Sequence, residues 1–440
     1  MLKIFPVLFL AALCFANFGF MTFKTPTEPD ELPALRNHLT QDKNASAQAA
    51  PVAEVFDFED ATGGSQTSSD APIVQREQNI LRLYWDIVPN AVKYEIFIGG
   101  NTFVAFTNGI EIPVDDVNAK FQVNAVSIDG TTLQPRLPMI AVDANPTTPR
   151  TTTEFDKMDY PPLYPVYSWI PTAGADRYEI ELICDGRIVR RYFTTPQPQD
   201  DDFDLYDKTP VLGEGEYFWR VRALTKDNQP LTNWSTKDAS NSFVVTRKIR
   251  FCALGDSITH GGGSISVPPS TVLYNWETYC AIPVKNLGRS GDTTAEILAR
   301  FDSDVLPFRP EVLFIMAGVN DYRSNILGWE SVGNLEQIRD KCTANGIKPV
   351  FMTPTPLNPA QIQKIGFLEP PPEDWQEHQR FICEWIREQE NFIDVNDKLT
   401  DSDGNLIEAL SVDGLHPDAD GKKIIGEAVA AWLDKYLNLK

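Results

Sequence analysis

The apolar pattern of this chain changes period once, near Thr246, and that change restricts the fold more than any other feature. Upstream, apolar and polar residues alternate: Tyr94-Glu95-Ile96-Phe97-Ile98 and Tyr178-Glu179-Ile180-Glu181-Leu182 put every second side chain on one face of a strand. Downstream, apolar residues come in short runs bounded by turns: KIRFCAL (248–254), EVLFIMA (311–317), KPVFMT (348–353) and NFIDV (391–395). Such runs read as strands buried on both faces. Helical spacing fills the intervals at 293–306, 332–345, 373–390 and 421–437. Alternating strands and helices predict a three-layer α/β/α domain with a parallel sheet over 248–440, its site at the carboxyl ends of the strands.

The upstream region is a duplication. Trp85, Ala91 and Tyr94-Glu95-Ile96 recur at the same internal spacing as Trp169, Ala175 and Tyr178-Glu179-Ile180. FQVNAVSIDG (121–130) likewise parallels WRVRALTKDN (219–228). Two all-β sandwich domains follow, over 75–147 and 158–246, each with an early core Trp. They resemble fibronectin type III domains, a pattern shared with immunoglobulin-like sandwiches. With no exposed aromatic patch legible in the sequence, they read as spacers.

Lys3 and the apolar stretch Ile4–Met21 read as a secretory signal, with Cys14-Phe15-Ala16 offering small residues before a cut. Left uncut, residues 1–21 would be an N-terminal anchor and a membrane tether. Lipidation at Cys14 would prefer a smaller residue than Leu13. Each alternative places the body of the protein outside the cytoplasm, secreted or at the cell surface or periplasm. Residues 22–74, rich in Ala, Ser, Thr, Asp, Glu and Pro, read as a flexible linker.

The net charge of −22 argues against nucleic acid and anionic membrane surfaces as partners, since both demand basic patches. The cysteines (Cys14, Cys184, Cys252, Cys280, Cys342, Cys383) lack metal-site spacing, and Cys252, Cys342 and Cys383 read as buried thiols. No metal or cofactor is expected.

The chemistry-bearing residues sit at strand ends. The first strand of the α/β region ends in Leu254-Gly255-Asp256-Ser257-Ile258-Thr259, a turn that poises Ser257 as a nucleophile at a helix start. Alone, the motif would be a mere N-cap turn. Near the C-terminus, Asp413-Gly414-Leu415-His416-Pro417 spaces a carboxylate to orient an imidazole, the basic half of a Ser-His-Asp arrangement. Asn286–Thr293 offers the glycine N–H groups of Gly288 and Gly291, and Gly318-Val319-Asn320-Asp321 offers the Asn320 amide; both stretches can donate to an oxyanion. His260, three positions after Ser257, is a candidate substrate contact, whereas His38 and His378 read as surface residues. The apolar residues within Pro354–Glu373 (Leu357, Ile362, Ile365, Phe367, Leu368) form the one stretch where an acyl groove could lie, in a rigid proline-rich loop.

Together these motifs resemble, in order, the four blocks of the SGNH hydrolases of the GDSL esterase/lipase superfamily, over residues 248–440. The resemblance matches Ser257 to the nucleophile, Gly291 (through SGDT) and Asn320 to the second and third blocks, and Asp413 and His416 to the last. It implies ester hydrolysis through an acyl-enzyme, with an oxyanion hole of the Ser257 and Gly291 N–H groups and the Asn320 amide. The choice of Gly291 over Gly288 rests on SGDT alone. The expected substrate is a small-molecule or polysaccharide ester, foremost an acetylated carbohydrate. The alternatives are a lipase, lysophospholipase or thioesterase, or a non-catalytic adhesion or glycan-binding protein. Because no matched residue lies upstream, 248–440 is expected to fold and act alone.

Overall fold

The computed structural model describes residues 73–194, 203–263, 268–366 and 368–438. The leader or anchor at 1–21 and nearly all of the linker at 22–74 lie outside the described residues.

The first sandwich contains β1 (Asn79–Tyr84), β2 (Lys93–Ile98), β3 (Asn101–Ala105), β4 (Gly109–Val114), β5 (Phe121–Val126), β6 (Thr132–Gln134) and β7 (Ala141–Ala144). Its sheets have the orders β4-β1-β7 and β3-β2-β5-β6, every neighbouring pair antiparallel. Leu81, Leu83 and Ile112 from one sheet meet Ile96, Val123 and Ala125 from the other in a single core. The second sandwich contains β8 (Val166–Ser168), β9 (Arg177–Cys184), β10 (Arg187–Phe193), β11 (Asp204–Tyr206), β12 (Gly215–Leu224) and β13 (Ser242–Val245), in sheets β10-β9-β12-β13 and β11-β8.

The duplication read from sequence reappears in detail. Trp85 lies 5.0 Å from Tyr94, ring to ring, and Trp169 lies 4.9 Å from Tyr178. The Tyr94 hydroxyl accepts the Val88 N–H (3.1 Å), and the Tyr178 hydroxyl accepts the Thr172 N–H (2.6 Å). Each ring thus anchors the turn that precedes its own strand.

The C-terminal sheet runs β15-β14-β16-β17-β18, wholly parallel, from β14 (Phe251–Gly255), β15 (Lys285–Asn286), β16 (Val312–Met316), β17 (Lys348–Met352) and β18 (Phe392–Ile393). Its helices are α1 (Ser257–His260), α2 (Thr294–Ala299), α3 (Phe301–Asp304), α4 (Val319–Arg323), α5 (Gly328–Ala344), α6 (Pro359–Ile365), α7 (Trp375–Arg387), α8 (Asn396–Leu399) and α9 (Ala419–Asn438). Phe314 and Phe351 point to opposite faces, because Phe314 pairs with Val350 and Ile315 with Phe351. Trp432 of α9 packs on Phe314, and Trp385 of α7 packs on Phe351. Helices therefore cover both faces, giving the three-layer α/β/α fold. The predicted helix over 293–306 is broken at Arg300, whose buried guanidinium turns inward to Asp292, Asp304 and the carbonyls of Leu287 and Gly255.

Both sandwich regions pack against the α/β domain. Leu163 and Tyr164, ahead of β8, belong to the core of the α/β domain. Leu163 N–H donates to Asn286 O on the edge strand (2.9 Å), and the buried Lys285 ammonium donates to Pro161 O (2.6 Å). Val92 of the first sandwich shares an apolar cluster with Tyr274 and Val412.

Candidate active site

The strand order reverses around β14, which has β15 on one side and β16 on the other; Ser257 follows β14 and Asn320 follows β16. That switch point is where open parallel sheets present a crevice at their carboxyl ends. The Ser257 Oγ lies 3.1 Å from His416 Nε2, and His416 Nδ1 lies 2.8 Å from Asp413 Oδ2. The other carboxylate oxygen, Oδ1, accepts the N–H groups of Leu415 (2.9 Å) and His416 (2.8 Å). Burial alone would raise the Asp413 pKa, but the His416 charge and these bonds outweigh it and hold it below the usual value. Hydroxyl, imidazole and ionised carboxylate thus form one chain able to pass a proton from oxygen to nitrogen.

Helix α1 is only one turn long, so the position of its first N–H groups matters more than a macrodipole. Asp256 caps it, Oδ1 accepting Ile258 N–H at 2.9 Å. Two residues hold its carbonyls: Asn286 Nδ2 donates to Thr259 O (2.6 Å), and the fully buried Lys422 ammonium donates to Ile258 O (2.6 Å). Burial pushes Lys422 down and the nearby Asp256 up to about 7. Nothing in the sequence marked Lys422, since a lysine in the first turns of a terminal helix ordinarily faces solvent.

The two glycines of the second loop are distinguished by their bonds. Gly288 N–H is taken by Asn286 Oδ1 (2.8 Å), and a Cβ there would sit 2.3 Å from the His260 nitrogen, so this glycine permits close packing against α1. Gly291, at φ +87°, has an N–H with no bonded acceptor among the described residues, and the same holds for Ser257 N–H. Asn320 Nδ2 donates to the Asp292 carbonyl (3.0 Å), beside Gly291, which leaves its second amide hydrogen unused. Asp292 is itself held by Arg300 (2.5 Å) and Arg289 (2.7 Å).

His260, read from sequence as a candidate substrate contact, is buried and spends both nitrogens internally. Nε2 donates to the Tyr164 carbonyl at 2.6 Å; Nδ1 accepts from the Ser290 hydroxyl (3.0 Å) and N–H (3.3 Å). Burial, aided by Arg300 and Lys422, lowers its pKa to about 4. The unfolded chain takes up this proton below pH 6.5 while the folded protein refuses it, so this contribution to stability falls from pH 6.5 towards 4. The loss amounts to up to roughly 3 kcal/mol. Thermal melts across this window are expected to fall less steeply in His260→Gln than in the parent. The opposing contribution of Asp256 is common to both proteins, and equal slopes would contradict the assignment.

His378 is half-buried rather than on the surface, its Nδ1 accepting the Gly328 N–H at the start of α5 (3.3 Å). The proline-rich stretch contains α6 instead of being a continuous loop, and Leu357 and Ile362 are fully buried. The segment braces the Asp413–His416 loop: Asn358 N–H donates to Gly414 O at 2.7 Å. A cleft of about 550 Å³ lies between the two sandwiches, lined by residues such as Tyr84, Arg150, Glu154 and Lys157, and includes none of the Ser257 site.

Fold and strand order together define the C-terminal region as a three-layer α/β/α domain with the Ser257, His416 and Asp413 side chains in one hydrogen-bonded chain. Residues 253–424 match the model of the GDSL-like Lipase/Acylhydrolase family. An uncharacterized lipoprotein of Bacillus subtilis, YqeF, is 35% identical over 82 residues, 17% of this chain and 34% of the relative's length. The chain thus spans about a third of that relative. Among solved structures, a lipase/acylhydrolase from Enterococcus faecalis is 24% identical, covering 43% of this chain and 96% of its own, with a TM-score of 0.36. An acetylxylan esterase from Geobacillus stearothermophilus is 20% identical, covering 42% and 95%, with a TM-score of 0.32.

Proposed function

We propose that this protein is an exported serine esterase that removes short acyl groups, foremost acetyl, from a carbohydrate. The observation that carries the esterase reading is the continuous chain Ser257 Oγ–His416 Nε2 and His416 Nδ1–Asp413 Oδ2. In this reading Ser257 Oγ attacks the ester carbonyl while His416 Nε2 takes the hydroxyl proton and Asp413 holds the ring. The N–H groups of Ser257 and Gly291 and the free Asn320 amide hydrogen meet the oxyanion. Its collapse expels the alcohol, which receives the proton from His416. A water, deprotonated by the same nitrogen, then releases the acid and restores Ser257.

Export is supported by the N-terminal apolar stretch and by the lipoprotein relative. A short acyl group is favoured because Leu357, Ile362 and Leu368, three of the five residues named for a long-chain groove, are buried in packing. The lipid-ester reading draws on an exposed apolar patch of Leu327, Trp329 and Phe381 on and beside α5 and α7, of the kind that meets an interface. Comparing kcat/KM across C2 to C12 p-nitrophenyl esters, with acetate release from acetylated xylan and pectin, separates the two. The proposal expects a steep fall beyond C4 and acetate from at least one polymer. A maximum at C8 or longer with no acetate released would transfer the assignment to lipid esters.

A further inference from the structure

We propose that the first sandwich positions His416 through a bond between Asn90 and Asp418, so that the upstream β domain is part of the catalytic unit; this rests on the esterase reading above. Asn90 sits in the turn before β2 with φ +65°. Its Nδ2 donates to Asp418 Oδ2 at 3.1 Å, and its backbone N–H donates to the Tyr274 hydroxyl at 2.9 Å. Asp418 follows His416 by two residues and fixes the end of its loop. Asp418 Oδ1 accepts Gly421 N–H (2.9 Å), its N–H donates to Leu410 O (2.9 Å), and its carbonyl accepts Lys422 N–H (2.8 Å). The loop is closed on itself by a Ser411–Pro417 bridge and by Val412 N–H to His416 O (3.0 Å). Val412, at its other end, packs with Val92 and Tyr274. The first sandwich therefore grips this closed loop on both sides of Asp413 and His416.

The duplication supplies an internal control. Counting from Trp85 and Trp169, Asn90 aligns with Gly174, which adopts φ +82°. Glycine serves a left-handed turn without strain, and asparagine is among the few other residues that tolerate it. Only the copy whose turn faces the His416 loop carries a side chain there, and that side chain makes the bond.

The test uses the full chain. Asn90→Gly keeps the turn, as Gly174 does in the second copy, and removes the bond to Asp418 together with the one that Asn90 Oδ1 accepts from the Tyr274 hydroxyl (3.3 Å). Misplacing a reacting group by about 1 Å costs up to roughly 100-fold, so kcat is expected to fall tenfold or more with KM within about twofold. Hydrogen exchange across 411–418, followed by mass spectrometry, should rise. Asn90→Asp opposes two carboxylates, and adding Asp418→Asn restores the donor–acceptor pair with its roles exchanged; kcat should recover to within about threefold. Unchanged kcat and exchange in Asn90→Gly, or a double variant that does not recover, overturns the proposal. If the parent hydrolyses no ester, the esterase reading fails, while the exchange comparison still decides whether Asn90 holds the loop.

Discussion

A chain truncated to 248–440 is expected to be insoluble or loosely packed and to show no esterase activity, despite containing every motif residue. Truncation removes Leu163 and Tyr164 from the core of the α/β domain. Large side chains lost from a core cost about 2–5 kcal/mol each. It also strands the buried Lys285 ammonium without Pro161 O, and His260 Nε2–H without Tyr164 O. Unsatisfied buried donors cost about 1–3 kcal/mol apiece and charged ones more. These losses together are comparable with a typical domain's stability of about 5–15 kcal/mol. A chain beginning at 148 keeps these contacts; it should fold and retain a reduced kcat, since it lacks Asn90. Circular dichroism, solubility and p-nitrophenyl acetate turnover of the two fragments check this. A soluble 248–440 fragment with parental kcat would mean that the domain is self-sufficient, as its motifs alone suggest.

Ser257→Ala is expected to lower kcat by on the order of 10⁴ to 10⁶ while leaving the fold intact. His416→Ala should cost a similar factor, and the double variant should be no worse than either single one. Residues that act as one unit in a proton relay lose their function together, so their effects do not add. Multiplicative losses, or a Ser257→Ala enzyme within 100-fold of the parent, would place the nucleophile elsewhere.

The parts of this architecture legible in the sequence are those written locally. The period-two strands, the Trp85/Trp169 duplication and the strand-end motifs each occupy a few neighbouring residues. Buried polar partnerships were not legible, because their meaning depends on a distant residue. Lys422 meets Ile258 across 164 positions, Tyr164 meets His260 across 96, and Asn90 meets Asp418 across 328. The packing of the sandwiches on the α/β domain was hidden for the same reason: alternation reveals the inner face of a sheet, not what a turn at its rim touches. In Pro354–Glu373 the prolines suggested a continuous loop, yet Pro359 stands at the first position of α6, where a missing N–H costs nothing. Gly291 could be separated from Gly288 only once Asn286 was seen to occupy the Gly288 N–H.

The most direct test of the central claim is to label the full-length protein with a fluorophosphonate and map the adduct by peptide mass spectrometry. A single adduct is expected on Ser257, abolished in Ser257→Ala and strongly slowed in His416→Ala. An adduct on Ser290, which bonds His260, or equal labelling of the Ser257→Ala protein would contradict it.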